Sequence, residues 1–82
     1  MTPKLPRDIS GKQLAGKLSR LGYQITRQTG SHLRLTTTTK GEHHLTIPAH
    51  GQLKVGTLSG IVSEVARHLE ASKSEIIDRL FR

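Results

Sequence analysis

The residues of this chain best able to do chemistry are one histidine and two arginines set around a short turn: Arg27, Gly30, Ser31, His32 and Arg34. An imidazole with a pKa of about 6.5 gives or accepts a proton at neutral pH without help from a metal. Beside RNA, such a group takes the proton of a ribose 2′-hydroxyl or protonates the leaving 5′ oxygen. Arg27 and Arg34 lie close enough in a hairpin to hold a phosphate, and Ser31 sets a hydroxyl next to the ring. His32 is one of five histidines, so its type alone does not single it out; its neighbours do.

The other candidates are weaker. Lys54 precedes an expected helix, where a basic side chain and the helix N-terminus both favour an anion. His43 and His44 are adjacent, but successive strand residues point to opposite faces, so they do not chelate one ion together and no metal site is expected. His44 belongs to the same face as His32, about four residues or roughly 13 Å along it, which makes it an RNA contact rather than a second catalytic group. His43 is expected at the rim. For His50, in a loop, plain solvent exposure and a role near RNA are equally open. Lys12, Lys17 and Arg20 read as a solvated helix face.

These side chains sit on a chain of 82 residues, enough for one domain with one core. Tyr23 and Phe81 are its only aromatic residues, so the core is aliphatic. The net charge of +7 favours a polyanionic partner, nucleic acid before an acidic protein. There is no cysteine, which excludes disulfides and thiolate metal sites and agrees with a cytoplasmic location. No apolar run approaches the ~20 residues of a membrane span, and the N-terminal MTPKLPRD lacks a signal-peptide core. Residues 1–8 are expected to be a flexible arm and 9–82 a single domain.

The elements that must position the site follow from periodicity. Ser10 and Gln13 form a capping-box pair, Ile9 staples onto Leu14, and Leu14, Leu18 and Leu21 recur at helical spacing up to Gly22, predicting a helix over 10–21. From Tyr23 the period becomes two, predicting strands over 23–27, 31–37 and 43–48. Facing Ile25 to Leu33 makes Gln28-Thr29-Gly30 a three-residue hairpin loop. A second turn at Lys40-Gly41 pairs Leu35 with Leu45 and Leu33 with Ile47. Strict alternation then gathers Thr26, His32, Arg34, Thr36, His44 and Thr46 on an open face.

Thr57 is the expected N-cap of a second helix carrying Leu58, Ile61, Val62, Val65 and Leu69. Ser72 and Glu75 open a short third helix with Ile76, Ile77, Leu80 and Phe81, expected on the rim of the core. The fold class is therefore α+β: α-β-β-β-α with helices on one face of a three-stranded antiparallel sheet, plus a C-terminal helix. Double-stranded-RNA-binding domains use this order.

The stretch Arg27-Gln28-Thr29-Gly30-Ser31-His32, followed by Ile47-Pro48-Ala49-His50, then by Lys54-Val55-Gly56-Thr57-Leu58 and Ile61, resembles the HicA-like mRNA interferase toxins over about residues 9–66. The resemblance implies a fold like that of double-stranded-RNA-binding domains, metal-independent and cofactor-free cleavage of mRNA, and neutralisation by a HicB-type antitoxin protein. It places the catalytic role on His32, with Gly30 and Ser31 as the supporting turn. Arg27, Arg34, His44 and Lys54 are the expected RNA or phosphate contacts. Thr29 and Val55 stand where basic residues are frequent in that family, and the SKSEIIDRLFR tail is less typical of it. The alternative class is a non-catalytic RNA-binding module of the same fold.

Overall fold

The computed structural model describes residues 5–82. Of the arm expected over 1–8, residues 1–4 lie outside the described residues, and Leu5 packs against the core.

Helix α1 (Gly11–Leu18) begins at the expected capping box: the Ser10 hydroxyl accepts from Gln13 N at 3.1 Å, and the Gln13 side chain accepts from Ser10 N at 2.9 Å. The expected helix over 10–21 tightens at its end into a 3-10 turn, Ser19–Leu21, closed by Gly22 in the left-handed region at φ 96°. Ile9 and Leu14 are both buried beneath this entry. The start of α1 comes so close to the end of the third strand that only a glycine fits at position 11.

Three strands form one antiparallel sheet in the order β1-β2-β3: β1 (Gln24–Thr29), β2 (His32–Thr37) and β3 (His43–Pro48). The expected pairs Leu33↔Ile47 and Leu35↔Leu45 are present, and all of these leucines and the isoleucine are buried. The first hairpin differs from expectation. Ile25 pairs with Leu35 rather than Leu33, the register shifts between Ile25 and Arg27, and the strand runs on to Thr29, which pairs with His32. Thr26 is thus the extra residue of a β-bulge, and the connection is the two-residue turn Gly30-Ser31. Every residue of the edge strand β1, Ile25 included at 52 % exposure, is exposed.

Helix α2 (Val55–Leu69) starts earlier than Thr57 predicts: Lys54 occupies the N-cap without a side-chain hydrogen bond. Leu58, Ile61, Val62 and Val65 form its buried stripe as the spacing predicts. Helix α3 (Lys73–Phe81) is capped by Ser72, whose hydroxyl accepts from Glu75 N at 3.1 Å. It is not a rim element. Ile76 and Leu80 are fully buried and Ile77 nearly so, which makes α3 a part of the single core. Among the described residues no helix is long and apolar enough to cross a membrane.

Candidate nucleic-acid interface

The bulge at Thr26 decides what the open face of the sheet carries. Under strict alternation Thr26 and Arg27 point to opposite faces. With one extra residue inserted, Arg27 falls directly opposite Arg34, and Thr29 opposite His32. Arg27, Thr29, His32, Arg34 and Thr46 then line one shallow cleft of about 200 Å³. That is smaller than the roughly 300–1,000 Å³ of small-molecule pockets and suits a single phosphate group of a longer polymer. Thr26 itself holds the bulge in place, its hydroxyl 2.9 Å from that of Thr36 and 3.4 Å from the Arg34 carbonyl.

The cleft is cationic without compensation. Among the described residues neither Arg27 nor Arg34 has a carboxylate partner, since the ion pairs present lie elsewhere, at Lys40–Glu70, His43–Glu64, His44–Glu42 and Arg82–Asp78. Like charges facing each other across an antiparallel pair cost a few tenths of a kcal/mol to about 1 kcal/mol unless a counter-charge sits between them. An anion bound in the cleft relieves that repulsion.

His32 is exposed at the first position of β2. Its Nδ1 lies 3.0 Å from the Ser31 hydroxyl, and Nε2 has no hydrogen-bond partner among the described residues. A hydroxyl both donates and accepts. With Nδ1 protonated, the ring donates to Ser31 Oγ and Nε2 presents a lone pair; in the imidazolium Nδ1 still donates to Ser31 Oγ and Nε2 carries the second proton. The serine therefore accommodates both the base and the acid form with Nε2 as the reactive atom.

The remaining expected contacts lie apart from this cleft. His44 pairs with Thr36, four positions along from the His32↔Pro48 pair. Both its ring nitrogens are engaged, Nδ1 with the Thr36 hydroxyl at 2.9 Å and Nε2 with Glu42 at 3.1 Å. Lys54 is exposed at the N-cap of α2 and does not line the cleft. Gly30 and Ser31 are exposed at the turn, with Gly30 at φ 31°.

Three side chains gain contacts that spacing did not reveal. His50 reaches back to the turn, its Nε2 3.0 Å from the Gly30 carbonyl. His43 is no plain rim residue: its Nδ1 lies 2.8 Å from the hydroxyl of buried Tyr23, and its ring stacks on His68 at 4.4 Å. His68 in turn contacts the carbonyls of Thr39 and Gly41 at 2.9 and 3.1 Å, tying α2 to the β2–β3 turn. Burial, reinforced by the Glu64 carboxylate, pushes the Tyr23 hydroxyl from 10.0 up to about 12. The Tyr23–His43 pairing joins the residue before β1 to the first residue of β3 across the central strand β2 and has no signature in local spacing. His43 and His44 do turn to opposite sides, as strand alternation requires.

A larger groove of about 600 Å³ lies where the 3-10 turn meets the β2–β3 turn and α3, but it carries both signs of charge, with Arg20, Lys40 and Arg79 beside Glu70 and Glu75. The cleft at His32, by contrast, has no acidic residue in its lining.

A helix, a three-stranded antiparallel meander and a second helix, with the helices on one face, is the layout of double-stranded-RNA-binding domains, here with a cationic cleft on the open face and one further helix. Residues 11–71 match the family model described as the HicA toxin of bacterial toxin–antitoxin systems, and the chain belongs to the HicA toxin family. The matched span opens at the first residue of α1 and closes just after α2, so α3 lies beyond it while still filling the core. No curated protein and no solved structure matches the chain.

Proposed function

We propose that this protein is a metal-independent endoribonuclease, the toxin of a toxin–antitoxin pair, which cleaves mRNA at the Arg27–His32–Arg34 cleft and is neutralised by a HicB-type antitoxin. The observation that carries the reading is the cross-strand arginine pair, brought together by the Thr26 bulge beside a histidine whose Nε2 is unengaged. Arg27 and Arg34 hold the phosphodiester and offset the charge that develops on it in the transition state. His32 makes one of the two proton transfers through Nε2, taking the proton of the ribose 2′-hydroxyl or giving one to the leaving 5′ oxygen, and water makes the other, as the 2′-hydroxyl attacks the phosphorus. The bond to the 5′ oxygen breaks, leaving a 2′,3′-cyclic phosphate on one product and a 5′-hydroxyl on the other. Membership of the HicA toxin family supports the toxin role and the pairing with an antitoxin.

The test is to incubate the protein and a His32→Ala variant with single-stranded and duplex RNA in EDTA and to analyse the product ends. Cleavage by the wild type alone, yielding cyclic-phosphate ends, is the expected result. Products ending in a 3′-hydroxyl exclude the mechanism. Equal RNA binding without cleavage by either protein assigns the chain instead to non-catalytic RNA-binding modules of the same layout.

A further inference from the structure

The turn that presents His32 has little to hold it. Thr29, Gly30, Ser31 and His32 are all exposed, and a side chain built at Gly30 meets nothing within 4 Å. Packing therefore does not fix the peptide between Gly30 and Ser31, and a two-residue connection that starts with glycine has more than one orientation open to it. Two hydrogen bonds from the segment that follows β3 reach this turn, one on the Gly30–Ser31 peptide and one on the Ser31–His32 peptide. Ala49 N donates to the Ser31 carbonyl at 2.8 Å, and His50 Nε2 lies 3.0 Å from the Gly30 carbonyl. Because a carbonyl has no proton to give, His50 carries its hydrogen on Nε2 and is the donor.

That segment is anchored on both sides of His50. Ala49 and Leu53 are buried, Leu53 N donates to the Ile9 carbonyl at 2.8 Å, and Gln52 bridges to Ser10 at the cap of α1. His50 itself is exposed, so burial of its ring does not explain its place. The contact to Gly30 is what the side chain contributes.

We infer that His50 is a positioning residue for His32: by donating to the Gly30 carbonyl it fixes the Gly30–Ser31 peptide, which sets the Ser31 hydroxyl against His32 Nδ1 and so directs Nε2. The path runs from the anchored loop through the Gly30 carbonyl and the Ser31 hydroxyl to the imidazole. Since the bond is solvent-exposed it adds little to global stability. Its effect falls on the orientation of one ring, where a displacement of about 1 Å lowers a rate by up to about 100-fold.

This inference rests on the endoribonuclease reading for its rate effects but not for its geometry, so the experiment has two arms. His50→Ala and His50→Gln are made in the full chain; the glutamine side-chain amide is a donor to Gly30 but does not ionise at neutral pH and cannot serve as a general acid or base. In the first arm, nitrogen-15 NMR of the His32 ring without RNA is expected to show altered Nδ1 and Nε2 shifts in His50→Ala, returning towards wild type in His50→Gln, with the melting temperature of both unchanged. In the second, kcat for RNA cleavage is expected to fall about 10–100-fold in His50→Ala with KM retained, and to recover in His50→Gln with the wild-type pH profile. Unchanged His32 resonances in His50→Ala overturn the proposal. So does a His50→Gln protein as inactive as His50→Ala with one limb of its pH profile missing, because His50 would then be transferring a proton itself. If wild type does not cleave RNA at all, the endoribonuclease reading fails, and the NMR arm still decides the role of His50.

Discussion

Replacing Gly11 by alanine sets two effects of opposite sign against each other, and the structure decides which wins. In an exposed helical position alanine is favoured over glycine by up to about 1 kcal/mol, through propensity and a less flexible unfolded chain. At Gly11 the new Cβ would overlap the Pro48 carbonyl oxygen, lie 2.9 Å from the Pro48 carbonyl carbon and stand 3.2 Å from Ile47 Cγ2. The first two are backbone atoms of a strand held in register by the Leu33↔Ile47 and His32↔Pro48 pairs, so they do not move aside as a flexible side chain would. Overpacking of this kind costs typically about 1–3 kcal/mol, and rigid backbone puts this site towards the upper end. The expected net loss is about 2 kcal/mol, or roughly 8–16 °C in Tm for a domain of this size. Gly16 supplies the control: it lies in the same helix, is exposed, and a Cβ there meets nothing within 4 Å. Thermal and urea unfolding followed by far-ultraviolet circular dichroism should show Gly11→Ala destabilised and Gly16→Ala unchanged or stabilised by up to about 1 kcal/mol. Equal shifts in the two variants, or a Gly11→Ala protein as stable as wild type, would refute the close approach of α1 to β3.

Arg27→Ala and Arg34→Ala should each weaken RNA binding across sequences and lower the slope of log K against log salt by about 0.7–0.9, as expected for one phosphate contact, while leaving stability unchanged or slightly raised because the facing charge is gone. A salt slope equal to wild type removes that arginine from the interface. The raised Tyr23 pKa gives a pH dependence of defined sign: the folded state holds the proton more tightly than the unfolded one, so its contribution is fully present below about pH 10 and is lost as pH rises through about 12. The loss attributable to Tyr23 over that window is measured as the difference in urea-unfolding pH profiles between wild type and Tyr23→Phe, wild type losing stability relative to the variant as the pH rises; parallel profiles would contradict it. As the only tyrosine, Tyr23 also reports its ionisation directly by absorbance, with a midpoint well above 10. Leu80→Ala should destabilise by about 2–5 kcal/mol, as a fully buried leucine does, although it lies beyond the family match; a cost below about 1 kcal/mol, seen by chemical denaturation, would return α3 to the rim.

Much of this protein is legible in the chain because its signals are local. The Ser10–Gln13 and Ser72–Glu75 caps depend on residues three apart, and the stripe of α2 on a helical period, so both appear as spacing predicts. The alternation of Leu33, Leu35, Leu45 and Ile47 specifies register, since a slip by one residue would expose all four. The Gly30-Ser31-His32 motif, with Arg27 and Arg34 on either side, is likewise visible in the sequence.

What local pattern does not contain is the bulge at Thr26, because an inserted residue on an edge strand breaks alternation without changing composition. That one irregularity shortens the turn to Gly30-Ser31 and brings Arg27 across from Arg34. The start of α2 at Val55 and the burial of α3 escaped for a related reason: no side chain caps the former, and packing against the rest of the core decides the latter. The sequence by itself determined which residues have the chemistry and which faces are apolar, since both follow from side-chain type and period. Only the tertiary structure decided which of those residues meet, because the contacts of Arg27 with Arg34, His50 with Gly30 and Tyr23 with His43 join positions that come together only once the strands have paired and the loop after β3 has been anchored.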